Sequence, residues 1–221
     1  MSTAATDLRE QVAATARRLA DEGLLIGTAG NVSARSDDRI AVTGTGVTLA
    51  RCTADDVTEV SPDGAHLFGD LAPTSELNLH LKLYERNDIR AVVHTHAPFS
   101  TAVASVEGLN SLPVVHYQQL LLGGEVRVAP YATFGSARLA TNVALALRDR
   151  HVALMANHGS VAIGATLEKA IDHALLLEWL AALYQRAGTM GHPRTLTDEQ
   201  QHAVIAAAVH SNYGTPTERT R

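Results

Sequence analysis

The chain has 221 residues, 46% of them hydrophobic but only 4% aromatic, with a formal net charge of −5. The length suits one large domain, and Ala, Val and Leu must build its core. The acidic balance excludes a binder that works by neutralising the phosphates of nucleic acid or an anionic membrane, and a single cysteine, Cys52, excludes an internal disulfide or a thiolate zinc cage.

The opening segment, MSTAATDLREQVAATARRLA, alternates charge with alanine and lacks the apolar stretch of a signal peptide. No apolar run approaches the roughly 18–20 residues that a transmembrane helix needs. A cytoplasmic protein is expected. Residues 7–22 place Leu8, Val12, Ala16 and Leu19 on one helical face, with Gly23 as a stop. LLIGTAGNVSAR reads as strand, turn, strand, and RIAVTGTGV as a strand ending in Thr and Gly. Asp63-Gly64 is a hairpin turn. Pro73, Thr74 and Ser75 supply capping chemistry for a helix over 75–86. IRAVVHTHA is a buried strand, 98–106 a short helix, LPVVHY and EVRVAPY strands, and SARLATNVALALRDR a helix. HVALMANHG and VAIGA are strands in close succession. The longest helix follows Thr166 and stops at Gly188, and Thr197-x-x-Gln200 forms a capping box for a final helix. Residues 215–221 read as a frayed tail. The irregular order of helices and strands predicts a mixed, mainly antiparallel sheet with packed helices, in one domain spanning 1–221.

Eleven histidines mean that most are ordinary. In a strand, residues i and i+2 share a face, so His94 and His96 converge at the end of an apolar run while Thr95 points away. Taken alone, the pair is either a polar strand exit or two ligands. His158 stands at the end of another apolar strand, and three imidazoles on strand ends make an open site for Zn²⁺. Glu76 has an ordinary reading, an acid favoured by the helix dipole. It also has a chemical one, a carboxylate aimed at a metal and able to carry a proton. His80, one turn after Glu76, can lie near the same place, and His116 is ambiguous. His66, His151, His173, His192, His202 and His210 read singly as surface or packing residues. No nucleotide-binding loop occurs. Thr28-Ala29-Gly30-Asn31, Thr43-Gly44-Thr45-Gly46 and Thr74-Ser75 concentrate hydroxyls, amides and glycines, which are either three turns or an anion cradle.

Taken together, GTAGNVSAR, TGTGV, PTSELNLH, AVVHTHAPFSTAVA, HYQQLLLGG, APYATFGS, NHGSVAIG, LEKAIDHALLLEWLAALY and NYG resemble the class II, metal-dependent aldolases of the fuculose-phosphate type. That superfamily also contains the ribulose-phosphate 4-epimerases. The resemblance runs from about residue 8 to Tyr213 and implies a three-layer α/β/α sandwich, assembled as a homotetramer with sites between subunits. By the same resemblance His94, His96 and His158 are the ligands of a divalent metal, Zn²⁺ first, although Mn²⁺, Co²⁺ and Fe²⁺ also suit imidazole. Glu76 is the catalytic carboxylate, able to approach the metal when substrate is absent. Thr28, Asn31, Thr45, Gly46, Thr74 and Ser75 form the phosphate cradle. Tyr117 crosses a subunit boundary to protonate the aldehyde oxygen, and Phe134 and Tyr213 shape the aldehyde end.

The implied reaction is reversible cleavage of a ketose 1-phosphate to dihydroxyacetone phosphate and a small aldehyde. Departures from the family pattern are small. Thr74 stands where serine is common, TGTG where Thr-Pro-Thr-Gly is common, and Asn157 where a second histidine often precedes the ligand. Glutamate at 76 favours aldolases over 4-epimerases, which usually carry aspartate. The rival readings are a 4-epimerase, a methylthioribulose-phosphate dehydratase or a decarboxylase on the same scaffold, a non-catalytic adducin-like domain, and a purely structural metal site. Lys82 and Lys169 are the only lysines, and both fall on amphipathic helices with surface-like spacing, which leaves no obvious Schiff-base residue.

Overall fold

The computed structural model describes residues 7–211. Helix α1 (Leu8–Asp21) is opened by Asp7, whose carboxylate accepts the Arg9 N–H. Strands β1 (Asn31–Ser36), β2 (Arg39–Thr43), β3 (Val57–Val60) and β4 (His66–Phe68) follow as a meander. Next come α2 (Leu77–Tyr84), β5 (Ala91–Thr95), α3 (Pro98–Ala104), β6 (Ser111–Leu112), β7 (Val126–Ala129), α4 (Ala137–Ala146), β8 (Val152–Met155) and β9 (Gly159–Gly164). Helices α5 (Leu167–Met190) and α6 (Asp198–Ser211) end the described chain. The nine strands make one sheet in the order β4-β3-β2-β1-β5-β9-β8-β7-β6. Every neighbouring pair is antiparallel except β7 with β8.

Alternation along the strands divides the core between two faces. Val32, Val93, Leu154 and Ala162 pack with residues of α1, α3 and α5. Val92, Met155, Val161 and Ile163 pack with residues of α2 and α4. This is the three-layer sandwich that the family resemblance implies, around the mixed, mainly antiparallel sheet that the element order predicts. Each fully buried Val, Leu, Ile or Met contributes about 1.5–3 kcal/mol, so small aliphatics suffice without many rings. His94 has the parity of Val92 and faces α2. Asn31 of β1 lies directly opposite His94 in the ladder, on the same face.

Four local expectations are corrected. The first half of LLIGTAGNVSAR is not a strand. Leu24 and Leu25 are buried in a loop, and Ile26 makes only an isolated bridge to Ala29. Both edges of β1 are already taken, by β2 and β5, so no edge is free for a further strand there. LPVVHY yields only the two residues of β6. Pro113 has no N–H for a ladder, and the Gln119 side chain takes over, donating to the Leu112 and Pro113 carbonyls and accepting the Val115 N–H. Gly188 does not stop α5, which continues to Met190. A glycine inside a helix costs only about 1 kcal/mol, and the end comes at Gly191, at φ 153°. Helix α2 begins at Leu77, so Glu76 is its N-cap residue rather than part of the first turn. Its own side chain makes no capping bond, and the Thr74 hydroxyl accepts the Glu76 N–H.

The Thr197/Gln200 capping box forms as expected. Tyr213 and residues 215–221 lie outside the described residues.

Candidate active site and metal centre

Strand β5, fifth of nine in the sheet, carries His94, and His96 follows one residue past its end. His94 Nε2 and His96 Nε2 are 3.0 Å apart. Gly159, at the start of β9, makes room for them. A Cβ there would collide with the Thr95 carbonyl oxygen and come within 3.3 Å of the His96 ring. The turn joining β8 to β9 carries Asn157 at φ 53° and swings His158 inward. The His94 and His158 ring centres are 4.9 Å apart, and those of His96 and His158 5.0 Å. Glu76 comes from the opposite side, at the start of α2. Its Oε2 is 2.9 Å from His94 Nε2 and its Oε1 3.5 Å from His158 Nε2. One ligand atom from each of the four residues lies within 4.8 Å of all the others.

The electrostatics of this cluster call for a cation. His94 Nδ1 lies 2.9 Å from the Ser160 carbonyl and must donate to it. That leaves Nε2 facing the cluster, where it hydrogen-bonds Glu76 when protonated and offers a lone pair to a metal when not. Burial, reinforced by the neighbouring histidines, pushes His96 down to about 4, and burial likewise lowers His158. Burial acts to raise the Glu76 carboxyl, but the hydrogen bond and charge of His94, the charge of His158 and the Asn31 amide outweigh it and keep the group ionised. Glu76 Oε1 is buried without a hydrogen-bond partner among the described residues. A carboxylate oxygen with no donor, beside nitrogens poised to donate electron pairs, fits a divalent metal with a position left open for another ligand. A closed structural cage would not leave that position.

The cluster lies at the wall of a cleft of about 320 Å³. All six residues proposed for an anion cradle, Thr28, Asn31, Thr45, Gly46, Thr74 and Ser75, line it. Phe134 lines it too, 64% exposed at the rim. Gly135 lets that rim close on the other wall, since a Cβ there would lie 2.6 Å from the Ser75 carbonyl oxygen. Tyr117 does not line the cleft. It starts a short 3₁₀ turn over Tyr117–Leu122, is 41% exposed, and packs against His116.

Sequence reasoning missed Tyr131, Ala132, Val47, Leu49 and Asn157 as lining residues. It also missed Ser33 and Tyr84, which reach the site through His80 and Asn31. A signal existed for Ser33, because polar Asn31 and Ser33 alternate with Val32 and Ala34 in a strand whose first four residues are all buried. Lys82 and Lys169 pair with Glu85 and Asp172 on helix surfaces, away from the cluster.

Fold and cluster together place a candidate metal centre on a mixed, mainly antiparallel sheet. Residues 10–185 match the model of the class II aldolase and adducin N-terminal domain. The chain is 38% identical over 200 residues to L-fuculose phosphate aldolase of Escherichia coli K12, covering 90% of this chain and 92% of that one. It is 37% identical over 200 residues to the 5-methylthioribulose-1-phosphate/5-deoxyribulose-1-phosphate aldolase of Rhodospirillum rubrum, covering 90% and 89%. A solved L-fuculose 1-phosphate aldolase superposes with a TM-score of 0.86 at 32% identity, over 92% of this chain and 97% of that one. The chain therefore belongs to the class II aldolase family and is an aldolase of the fuculose-phosphate type, a carbon–carbon lyase. Class II aldolases depend on a divalent metal, which agrees with the Glu76 and histidine cluster. No helix among the described residues is long and apolar enough to cross a membrane.

Proposed function

We propose that the whole chain, as a single domain, reversibly cleaves a ketose 1-phosphate of the fuculose 1-phosphate kind to dihydroxyacetone phosphate and a small aldehyde. The observation that carries this reading is the buried Oε1 of Glu76, unpartnered among the described residues and facing three histidines at the wall of the cleft. His94, His96 and His158 would hold the divalent cation, Zn²⁺ by preference, and Glu76 can join them when substrate is absent. When bound, the cation supplies Lewis-acid stabilisation of the negative charge that develops on the three-carbon unit.

The chain's own groups do the rest. Thr28, Asn31, Thr45, Gly46, Thr74 and Ser75 offer hydroxyl, amide and backbone N–H donors to the phosphate, which places the reacting carbon rather than leaving it to be searched for. In the condensation direction Glu76 removes a proton from C3 of dihydroxyacetone phosphate. The C3 electron pair attacks the aldehyde carbon, and a tyrosine hydroxyl protonates the aldehyde oxygen. Cleavage runs the same steps backwards, with Glu76 returning the proton to C3. Tyr117 suits the tyrosine role only if a neighbouring subunit supplies it, since it lies outside its own cleft. Its exposure, beside His116 and the half-exposed Trp179, supports a homotetramer with sites between subunits. Phe134, with Tyr131, would shape the aldehyde end, and Tyr213 is proposed for the same end.

The relatives' substrates are fuculose phosphate, 5-methylthioribulose 1-phosphate and 5-deoxyribulose 1-phosphate. The two exposed rings at the rim favour an aldehyde with a small apolar tail. A panel of ketose 1-phosphates and 5-phosphates at defined metal loading tests the assignment. Release of dihydroxyacetone phosphate from a ketose 1-phosphate, followed by a coupled reductase, is expected, and its absence across the panel overturns the reading. Glu76→Gln with full metal content is expected to lose about 10²-fold or more in turnover, the usual size of a general acid–base contribution.

A further inference from the structure

The two oxygens of Glu76 are treated differently. Oε2 is held by His94 and by Asn31, whose Nδ2 lies 3.1 Å away, whereas Oε1 has no donor among the described residues. Behind Asn31 runs a buried file of polar groups, each within hydrogen-bond distance of the next. Asn31 Oδ1 is 2.5 Å from His80 Nε2, His80 Nδ1 is 2.6 Å from the Ser33 hydroxyl, and that hydroxyl is 2.7 Å from the Tyr84 hydroxyl.

The direction of every bond follows from the enclosed end. The buried Tyr84 hydroxyl has Ser33 as its acceptor, so Tyr84 donates to Ser33 and Ser33 turns its own proton to His80 Nδ1. Burial keeps the ring neutral, at about 3, so the ring proton is on Nε2 and is donated to Asn31 Oδ1. Asn31 therefore presents Nδ2 to Glu76 Oε2. The file is no proton wire. It ends at a Tyr84 hydroxyl enclosed in the core, and it passes through a carboxamide, which donates without relaying.

We propose that His80 is a positioning residue. Through Asn31 it fixes which oxygen of Glu76 is held and leaves Oε1 as the oxygen that carries the proton. The proposal rests on reading Glu76 as the proton-carrying carboxylate. A free asparagine amide has two orientations, and the wrong one sets its carbonyl oxygen against the carboxylate. A fixed Nε2–H on His80 penalises that flip, because it would then face an NH₂ group and one buried donor would go unsatisfied.

Two substitutions separate positioning from packing. In His80→Gln the side-chain amide nitrogen takes the place of Nε2 and can still donate to Asn31. In His80→Asn the shorter amide takes the place of Nδ1, reaches Ser33 and leaves Asn31 without its donor. The kinetic readout is exchange of the C3 proton of dihydroxyacetone phosphate into deuterium oxide, a half-reaction that needs no knowledge of the aldehyde. His80→Gln is expected to stay within about threefold of wild-type exchange and His80→Asn to fall about 10- to 100-fold, the cost of misplacing a reacting group. Metal content should be unchanged in both. Nitrogen-15 spectra of histidine-labelled, metal-free protein should show His80 as the Nε2–H tautomer.

An Nδ1–H tautomer overturns the proposal. So does equal exchange in the two variants, or a loss in both that tracks their melting temperatures. Glu76→Gln is the control. Near-wild-type exchange there removes the base reading and the proposal with it. An inactive Glu76→Gln beside an unaffected His80→Asn removes the positioning role alone.

Discussion

His80 ties the stability of the fold to pH. The folded ring titrates at about 3, pushed down by burial against the opposing charge of Glu76, whereas the unfolded chain takes up the same proton near 6.5. Between those values the unfolded state binds a proton that the native state does not. Stability is therefore complete above 6.5 and is lost as pH falls toward 3, by about 1.4 kcal/mol per pH unit for this group. Metal-free wild type should lose melting temperature more steeply below pH 6.5 than metal-free His80→Gln, and parallel curves would show that the folded ring protonates freely. The sequence placed His80 one turn after Glu76 but could not name its partners. Ser33 and Tyr84 are brought to it by the packing of α2 onto β1, and which two faces meet is not encoded in any local pattern. His94 and His96 were legible because a strand's period of two is local. His158 needed the family resemblance, since nothing near it in the chain says which other strand end it will face.

At the scale of elements, the loop after the H-x-H is clamped from a distance. The Glu178 carboxylate on α5 accepts the Phe99 and Ser100 N–H groups, both at 2.8 Å, at the start of α3. Those donors have no partner inside the helix, and an anion there also meets the positive end of the helix dipole. Glu178→Ala is expected to cost about 1–3 kcal/mol for the two stranded donors and to loosen the segment beside His96. Denaturant unfolding measures it, and a change of only a few tenths of a kcal/mol removes the clamp from the account. Helix boundaries were legible where a side chain itself closes the end, as at Asp7, Ser136, Thr166 and Thr197. They were misread where backbone geometry or a distant side chain decides. Gly188 passes through a helix that glycine alone does not stop, and Gln119 holds a segment that the β-branched pattern of LPVVHY assigns to a strand.

For the molecule as a whole, metal and fold should be linked. A ligand that binds only the native state adds about 2.7 kcal/mol at a free concentration of 100 times its Kd. Titrating Zn²⁺ into metal-free protein should raise the melting temperature progressively, and His94→Ala should abolish the rise. A melting temperature indifferent to Zn²⁺ would remove the cluster as the metal centre. The mixed, mainly antiparallel sheet with packed helices was legible because apolar alternation and helix caps are repeated over many elements, whereas the three-layer arrangement came only from the family resemblance. The outer boundary of the cleft was not legible, since it is drawn by turns far apart in the chain. The central place of β5 bears on how such a protein can diversify. His94 sits on a strand paired along both edges in mid-sheet, with His96 one residue past its end, where opening requires nearly complete unfolding. The rim rings Tyr131 and Phe134 sit on an exposed connection between β7 and α4, where replacement and insertion disturb little. On the proposed reading of Tyr131 and Phe134 as the aldehyde end, mutations that retune which aldehyde fits can accumulate at the rim without drawing on the stability that keeps the reaction centre in register, so that substrate range and catalytic competence evolve as separate traits.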